Sequence, residues 1–216
     1  MGYLRPEWRY IVNYANSYNI GPFLARFVGQ HPFVISRVGD IRLLASPLRQ
    51  AVIDAVAANG PLTVAEIGRL LRRRPDRVYY HVKLLARAGM LVASAGQSSS
   101  GRSEARFDVP GRPLMLLYDP ASPANRREVA RVVAAMLRGA GRDFRKGFLA
   151  EDVVVTGPRR NLWAGRVQGN LTAVELTEAN VLIDRLSQLM HGSSHRVSSR
   201  TRLHQLTWVL SPGEDT

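Results

Sequence analysis

The residues with the clearest chemical purpose are arginines. From 69 to 87 the chain holds seven basic side chains, Arg69, Arg72, Arg73, Arg74, Arg77, Lys83 and Arg87, opposed only by Asp76. Guanidinium groups are planar forks of donors that suit phosphate oxygens and guanine edges. Widening the window to 42–107 gives eleven basic residues and four acids, so the excess is focused. Over the whole chain 30 Lys and Arg stand against 17 Asp and Glu, a formal charge of +13, and Lys occurs only at Lys83 and Lys146. Such a field attracts polyanions, either nucleic acid or an anionic membrane surface.

Other chemistries find little footing. The chain has no cysteine, which excludes disulfides, thiolate metal sites, Fe–S clusters and a Cys nucleophile. His191 and His195 have a metal-ligand spacing for a helix, but they sit among Ser193, Ser194, Ser198 and Ser199 with no carboxylate nearby. No metal site is expected there. His81 reads as a structural residue at a helix junction. There is no phosphate loop, no Gly-x-Ser-x-Gly and no dinucleotide fingerprint, and no His–carboxylate pair has a useful spacing. The expectation is a non-enzyme without catalytic residues, metal or cofactor.

The elements that must position the arginines are legible from Ser46 onward. Ser46-Pro47 is a helix start, an N-cap followed by proline at the first helical position. Leu48, Val52, Ala55 and Val56 recur at helical spacing until Asn59-Gly60-Pro61. Thr63-Val64-Ala65-Glu66 is a capping box that opens a short helix with Val64, Ile67, Leu70 and Leu71 on its apolar face. A turn at Arg72-Arg73-Arg74 follows. Pro75 then starts a third helix with Val78, Val82 and Leu85 inward, and Gly89 takes the C′ position. Residues 90–95 and 104–109 read as two strands joined by a Gly/Ser-rich tip that carries Arg102. Three short helices and a hairpin is the winged-helix order. The third helix then leaves Asp76, Arg77, Tyr79, Tyr80 and Lys83 on outward faces, where a recognition helix meets base edges. Arg72, Arg73 and Arg74 are expected at phosphates, and Arg102 in an adjacent minor groove.

Outside 46–109 the text is thinner. Residues 1–45 form an N-terminal extension of uncertain order, and 110–125, with four prolines, reads as a linker. An amphipathic helix is expected over 126–148, weakened in the middle by Gly139 and Gly141, where it could break. Strands are expected over 163–168 and 203–210, with a helix between them opened by the capping box Thr172-x-x-Glu175. Residues 126–212 are thus a dimerisation or effector region, with Val133, Leu137, Phe144, Trp163 and Trp208 as its candidate residues. The tryptophans read as core anchors or as walls of a ligand pocket. The most apolar early stretch, 21–38, is broken by Arg26, Gln30, His31 and Pro32. It resembles neither a spanning helix nor a signal peptide, and a cytoplasmic protein without membrane contact is expected.

The stretch Ser46-Pro47-Leu48-Arg49, then Gly60-Pro61-Leu62-Thr63-Val64-Ala65-Glu66-Ile67, then Val78-Tyr79-Tyr80-His81-Val82-Lys83-Leu84-Leu85-Ala86-Arg87-Ala88-Gly89-Met90-Leu91-Val92 resembles ArsR-type winged-helix regulators. It is most similar to the subgroup with a helical C-terminal extension and no metal site. The resemblance implies a homodimeric repressor bound to duplex DNA at an inverted repeat, with an unknown small-molecule effector as a possible further partner. Two positions depart from the family turn, which has Gly and an N-cap Ser where this chain has Arg72 and Arg74. The fold class that results is mainly α with small β elements: a winged helix-turn-helix, a long helix, and a small α+β C-terminal region. A winged helix that docks a protein partner or RNA is the alternative. The first would favour an apolar or acidic recognition face, which this chain does not have.

Overall fold

A computed structural model of the chain describes residues 32–97, 103–193 and 201–213. The architecture is mainly helical, with two small sheets. Strand β1 (Phe33–Ile35) leads into helix α1 (Val38–Leu43). Helices α2 (Pro47–Asn59), α3 (Val64–Leu70) and α4 (Pro75–Arg87) follow, with the two-residue strand β2 (Leu62–Thr63) between α2 and α3. The wing is β3 (Val92–Gln97) and β4 (Ser103–Asp108), and β5 (Leu114–Leu116) precedes the long α5 (Pro123–Gly147). Helix α6 (Ala173–Gly192) lies beyond it.

Each element of the centre has a local cause. Ser46 is the N-cap of α2, though its hydroxyl makes no capping bond, so Pro47 carries the start signal. Thr63 and Glu66 close the capping box of α3 in both directions: Glu66 N–H donates to Thr63 Oγ1 at 3.2 Å and Thr63 N–H to Glu66 Oε2 at 2.8 Å. On α4, Val78, Val82 and Leu85 are fully buried. Gly89 ends that helix at φ +73°, a left-handed conformation that glycine adopts without steric penalty. The three-stranded sheet runs β2-β4-β3, all antiparallel, with Leu62 opposite Phe107 and Ala93 opposite Phe107 on the other side. Val52, Val56, Ile67, Val78, Val82, Leu85, Met90 and Phe107 share one core. Each side chain of this size contributes roughly 1.5–3 kcal/mol by leaving water.

The packed unit starts earlier than Ser46. Ile35, Ile41 and Leu44, which the sequence leaves in an N-terminal extension, are buried in the same core. Strand β1 is held by β5, which lies in the expected linker. The pair is parallel, with Phe33 opposite Leu114 and Ile35 opposite Leu116.

Helix α5 also begins inside that linker, where the Ser122 hydroxyl accepts from the Asn125 N–H at 3.3 Å. Its first turns belong to the core: Asn125, Glu128, Val132 and Ala135 are buried. Asn125 Nδ2 donates to Leu117 O at 3.0 Å and fixes the approach to the helix. Gln50 of α2 reaches the Val132 carbonyl at 3.0 Å. Glu128, fully buried, pairs with Arg42 of α1 at 3.3 Å and with Arg131 at 3.0 Å.

Three expectations for the C-terminal region change. Helix α5 runs unbroken through Gly139 and Gly141, because a glycine costs about 1 kcal/mol in a helix but removes no hydrogen bond. The strands expected at 163–168 and 203–210 do not form: these segments have no regular secondary structure and pair with no strand among the described residues, and a lone strand would leave its backbone groups to water. Trp163 and Trp208 are exposed by 63% and 43%, so among the described residues no core forms around them. Helix α6 has its capping box, with Glu175 N–H donating to Thr172 Oγ1 at 3.3 Å, but it has no buried residue.

Candidate nucleic-acid interface

Between α3 and α4 the backbone turns sharply at Arg72, which sits at φ +51°. This is the left-handed region, uncommon for any residue but Gly, Asn or Asp. The turn is closed by Arg73 N–H donating to Gly68 O at 2.8 Å. Gly68 is buried against that strand of backbone: a Cβ there would lie 2.9 Å from Arg73 O. Arg74 is the N-cap of α4 and makes no side-chain cap. Its guanidinium instead pairs with Asp76 at 3.3 Å. Asp76 in the first turn complements the helix dipole, so the acid that opposes the basic cluster has a local job.

The sequence candidates Arg72, Arg73, Arg74, Asp76, Arg77, Tyr79, Tyr80 and Lys83 are all exposed, and one turn and one helix bring them together. Asp76, Tyr80, Lys83 and Arg87 recur at i, i+4, i+7 and i+11 along α4, with Tyr79 and Arg77 flanking that line. Arg72, Arg73 and Arg77 carry no ion pair among the described residues. Lys83 Nζ stands 5.6 Å from the Tyr79 ring centroid, a cation–π distance. Tyr79, Tyr80, Lys83, Leu84 and Arg87 border a shallow groove of about 380 Å³. Tyr79 and Tyr80 are 51% and 65% exposed, more than packing requires of rings on a helix with its own buried face. Arg102, expected at the wing tip, lies outside the described residues.

Two arginines that add to the sequence's positive count turn out to be structural. Arg106 of β4 donates to Pro61 O through Nε at 3.2 Å and Nη2 at 2.9 Å, and it pairs with Glu66 at 3.1 Å. Arg112 donates to Ala57 O at 2.9 Å and Val56 O at 3.3 Å, two carbonyls of the last turns of α2, and pairs with Asp108. Sequence reasoning missed both roles, because their partners lie about 45–55 residues away. Arg49 is likewise bound to the Leu43 carbonyl, and burial lowers its pKa.

His81 faces inward next to this surface. Its Nδ1 is buried without a hydrogen-bond partner among the described residues, and burial followed by the nearby Arg49 charge pushes its pKa down, favouring neutral imidazole. The ring meets Tyr80 edge-on at 5.6 Å. Of the spaced histidines, His191 bonds the Ser187 carbonyl through Nδ1 at 2.8 Å, and His195 lies outside the described residues.

The dimer or effector candidates do not converge on one pocket. Val133 and Phe144 are half-buried and Leu137 is exposed on α5. Phe144 meets Phe148 edge-on at 5.2 Å. Trp163 is capped by Arg160 at 4.5 Å. An open cavity of about 400 Å³ at the end of α5 is bordered by Gly147, Asp152, Asn161, Leu162, Arg202 and His204, and by neither tryptophan.

A helix-turn-helix with a β-hairpin wing is the DNA-binding architecture of transcription regulators, and residues 44–92 match the family model described as Helix-turn-helix domain. No curated protein matches the chain. Among solved structures, the YusO protein from Bacillus subtilis is similar at 11% identity, over 86% of this chain and 99% of that one, with a TM-score of 0.29. A multiple antibiotic-resistance repressor (MarR) from Listeria monocytogenes 4b F2365 is similar at 13% identity, over 87% and 99%, with a TM-score of 0.26. The heme sensor protein PefR, solved with heme and carbon monoxide, is similar at 12% identity, over 89% and 97%, with a TM-score of 0.26. None of these matches singles out the ArsR-type subgroup. Among the described residues no helix is long and apolar enough to cross a membrane.

Proposed function

We propose that the chain is a sequence-specific regulator of transcription that binds duplex DNA through α4 and the turn before it. The observation that carries this reading is the division of α4. One face is fully buried through Val78, Val82 and Leu85, while the other presents Arg77, Tyr79, Tyr80 and Lys83 next to unpaired Arg72 and Arg73. Arg77 and Lys83 suit guanine O6 and N7, the tyrosines suit thymine methyls or phosphate oxygens, and the turn arginines suit phosphates.

The working form is a homodimer. In the single chain Leu137 and Phe148 of α5 and every apolar side chain of α6 are uncovered or only partly covered. Val133, Leu137 and Phe144 lie at the centre of the surface a second copy would bury. Two recognition helices one DNA turn apart, about 34 Å, then read an inverted repeat, and the dimer represses by occupying it.

The test is an anisotropy titration with the duplex upstream of the chain's own gene and with a scrambled duplex of equal length. Tighter binding to the native duplex, weakened by Arg77→Ala, is expected. Equal affinity for both duplexes, or tighter binding to structured RNA at the same salt, would overturn the reading.

A further inference from the structure

Helix α5 carries a second cationic surface that the helix-turn-helix does not use. Arg127, Arg131, Arg138, Arg142 and Arg145 are all exposed. At 100° per residue they fall within an arc of about 60° and span about 27 Å of helix axis. Exposed helical faces ordinarily alternate opposite charges at i, i+4. This stripe instead sets like charges at that spacing twice, Arg127 with Arg131 and Arg138 with Arg142, an unfavourable arrangement unless an anion lies over it. The acids of α5 relieve only the first of these pairs. Glu128 is fully buried and meets only Arg127 and Arg131 of the stripe. Asp143 is turned to another face and pairs with Lys146 at 3.4 Å. Arg138, Arg142 and Arg145 have no anionic partner among the described residues.

The stripe is also rigidly placed. The first turns of α5 are built into the core that holds α4, through Gln50 to Val132 O and Arg42 to Glu128. Leu137 and Phe144 lie about 80–160° around the helix from the arginines, so covering those two side chains leaves the stripe outward.

The geometry points to a second contact with duplex DNA: the Arg138–Arg142–Arg145 face of α5 binds the phosphates flanking the site read by α4, without reading their sequence. This rests on the proposal that α4 binds duplex DNA. A polyphosphate track suits a row of unpaired guanidiniums of one sign, and each neutralised phosphate releases counterions. An anionic membrane is the other polyanion this surface could meet, and the experiment separates the two.

A duplex selected from random sequence by the protein is made in two lengths, the conserved centre alone and the same centre with about 10 base pairs, one helical turn, added on each side. Binding is followed over a range of salt for the full chain, for the triple variant Arg138→Gln/Arg142→Gln/Arg145→Gln and for the corresponding triple lysine variant, with circular dichroism verifying the fold of each. The glutamine variant is expected to lose on the order of tenfold or more on the long duplex at low salt. Its slope of log K against log salt should be shallower by up to about 0.9 for each phosphate that is no longer neutralised. The short duplex should be bound unchanged, and the lysine variant should behave as the parent. Equal binding of the long duplex by parent and glutamine variant would overturn the inference while leaving the α4 reading intact. So would a loss confined to phosphatidylserine vesicles. Failure of the parent to select any duplex would overturn both.

Discussion

The backbone N–H of Arg73 donates to the Gly68 carbonyl at 2.8 Å, and the absence of a side chain at Gly68 is what lets the two strands of backbone approach. A Cβ at 68 would sit 2.9 Å from Arg73 O, which is backbone and cannot swing away. Gly68→Ala is therefore expected to destabilise the fold by about 1–3 kcal/mol, the usual range for overpacking. Thermal melting checks this, and an unchanged melting temperature would show that the turn can shift.

Arg72 combines a conformational liability with an exposed cation. Its φ of +51° is costly for a residue with a Cβ. Arg72→Gly should raise stability by about 0.5–1 kcal/mol, net of the extra freedom glycine gives the unfolded chain. The same change should weaken duplex binding and make its salt dependence shallower by the equivalent of about one phosphate. Opposite movement of melting temperature and affinity is the expected signature.

Arg77 and Arg106 are both arginines of the winged-helix segment, but only one is free. Arg77→Ala should weaken duplex binding while leaving the melting curve in place. Arg106→Ala removes bonds to Pro61 O and the pair with Glu66. It should lower stability by about 1 kcal/mol, a partly solvated charge-assisted interaction. Its affinity at temperatures where the variant is folded should match the parent. Equal effects of the two variants on the salt slope would contradict this separation.

The capping box of α3 makes a pH prediction. Hydrogen bonding from the Thr63 backbone, with the Arg106 charge a smaller cause, holds the Glu66 carboxyl below its usual value of 4.5. A depressed carboxyl pKa stabilises the fold above the unfolded value and loses that contribution as pH falls through the folded one. The difference in melting temperature between the parent and Glu66→Gln should be constant near neutrality and shrink as the pH drops below about 4.5. A difference that grows in acid would reverse the sign.

The parts legible in the sequence were those whose causes are local. Apolar spacing, the Thr63–Glu66 box, Pro75 and Gly89 identify α2, α3 and α4, and the alternation of Ala105, Phe107 and Val109 identifies a wing strand. Strand β1 and helix α1 escaped because their causes are distant. A three-residue strand is held by a partner some 80 residues on, and Arg37 gives α1 no side-chain cap. The α4 face was readable because a buried stripe fixes its opposite. The captured state of Arg106 and Arg112 was not, since a positive charge in a sequence carries no sign of which carbonyl will hold it. The segments at 163–168 and 203–210 show the converse failure: a short run that reads as a strand does not supply the neighbour to pair with.

Helix α5 is a lever. Its root is clamped in the α4 core by Gln50 and Glu128, and its 25 residues extend about 37 Å at 1.5 Å per residue. A tilt of about 5° at the root displaces the far end by about 3 Å along such a length. In the proposed dimer, closing or opening the angle between two such arms resets the spacing of the two recognition helices against the fixed repeat of DNA. Anything that packs against the far end of α5 would thereby govern whether both half-sites can be reached at once.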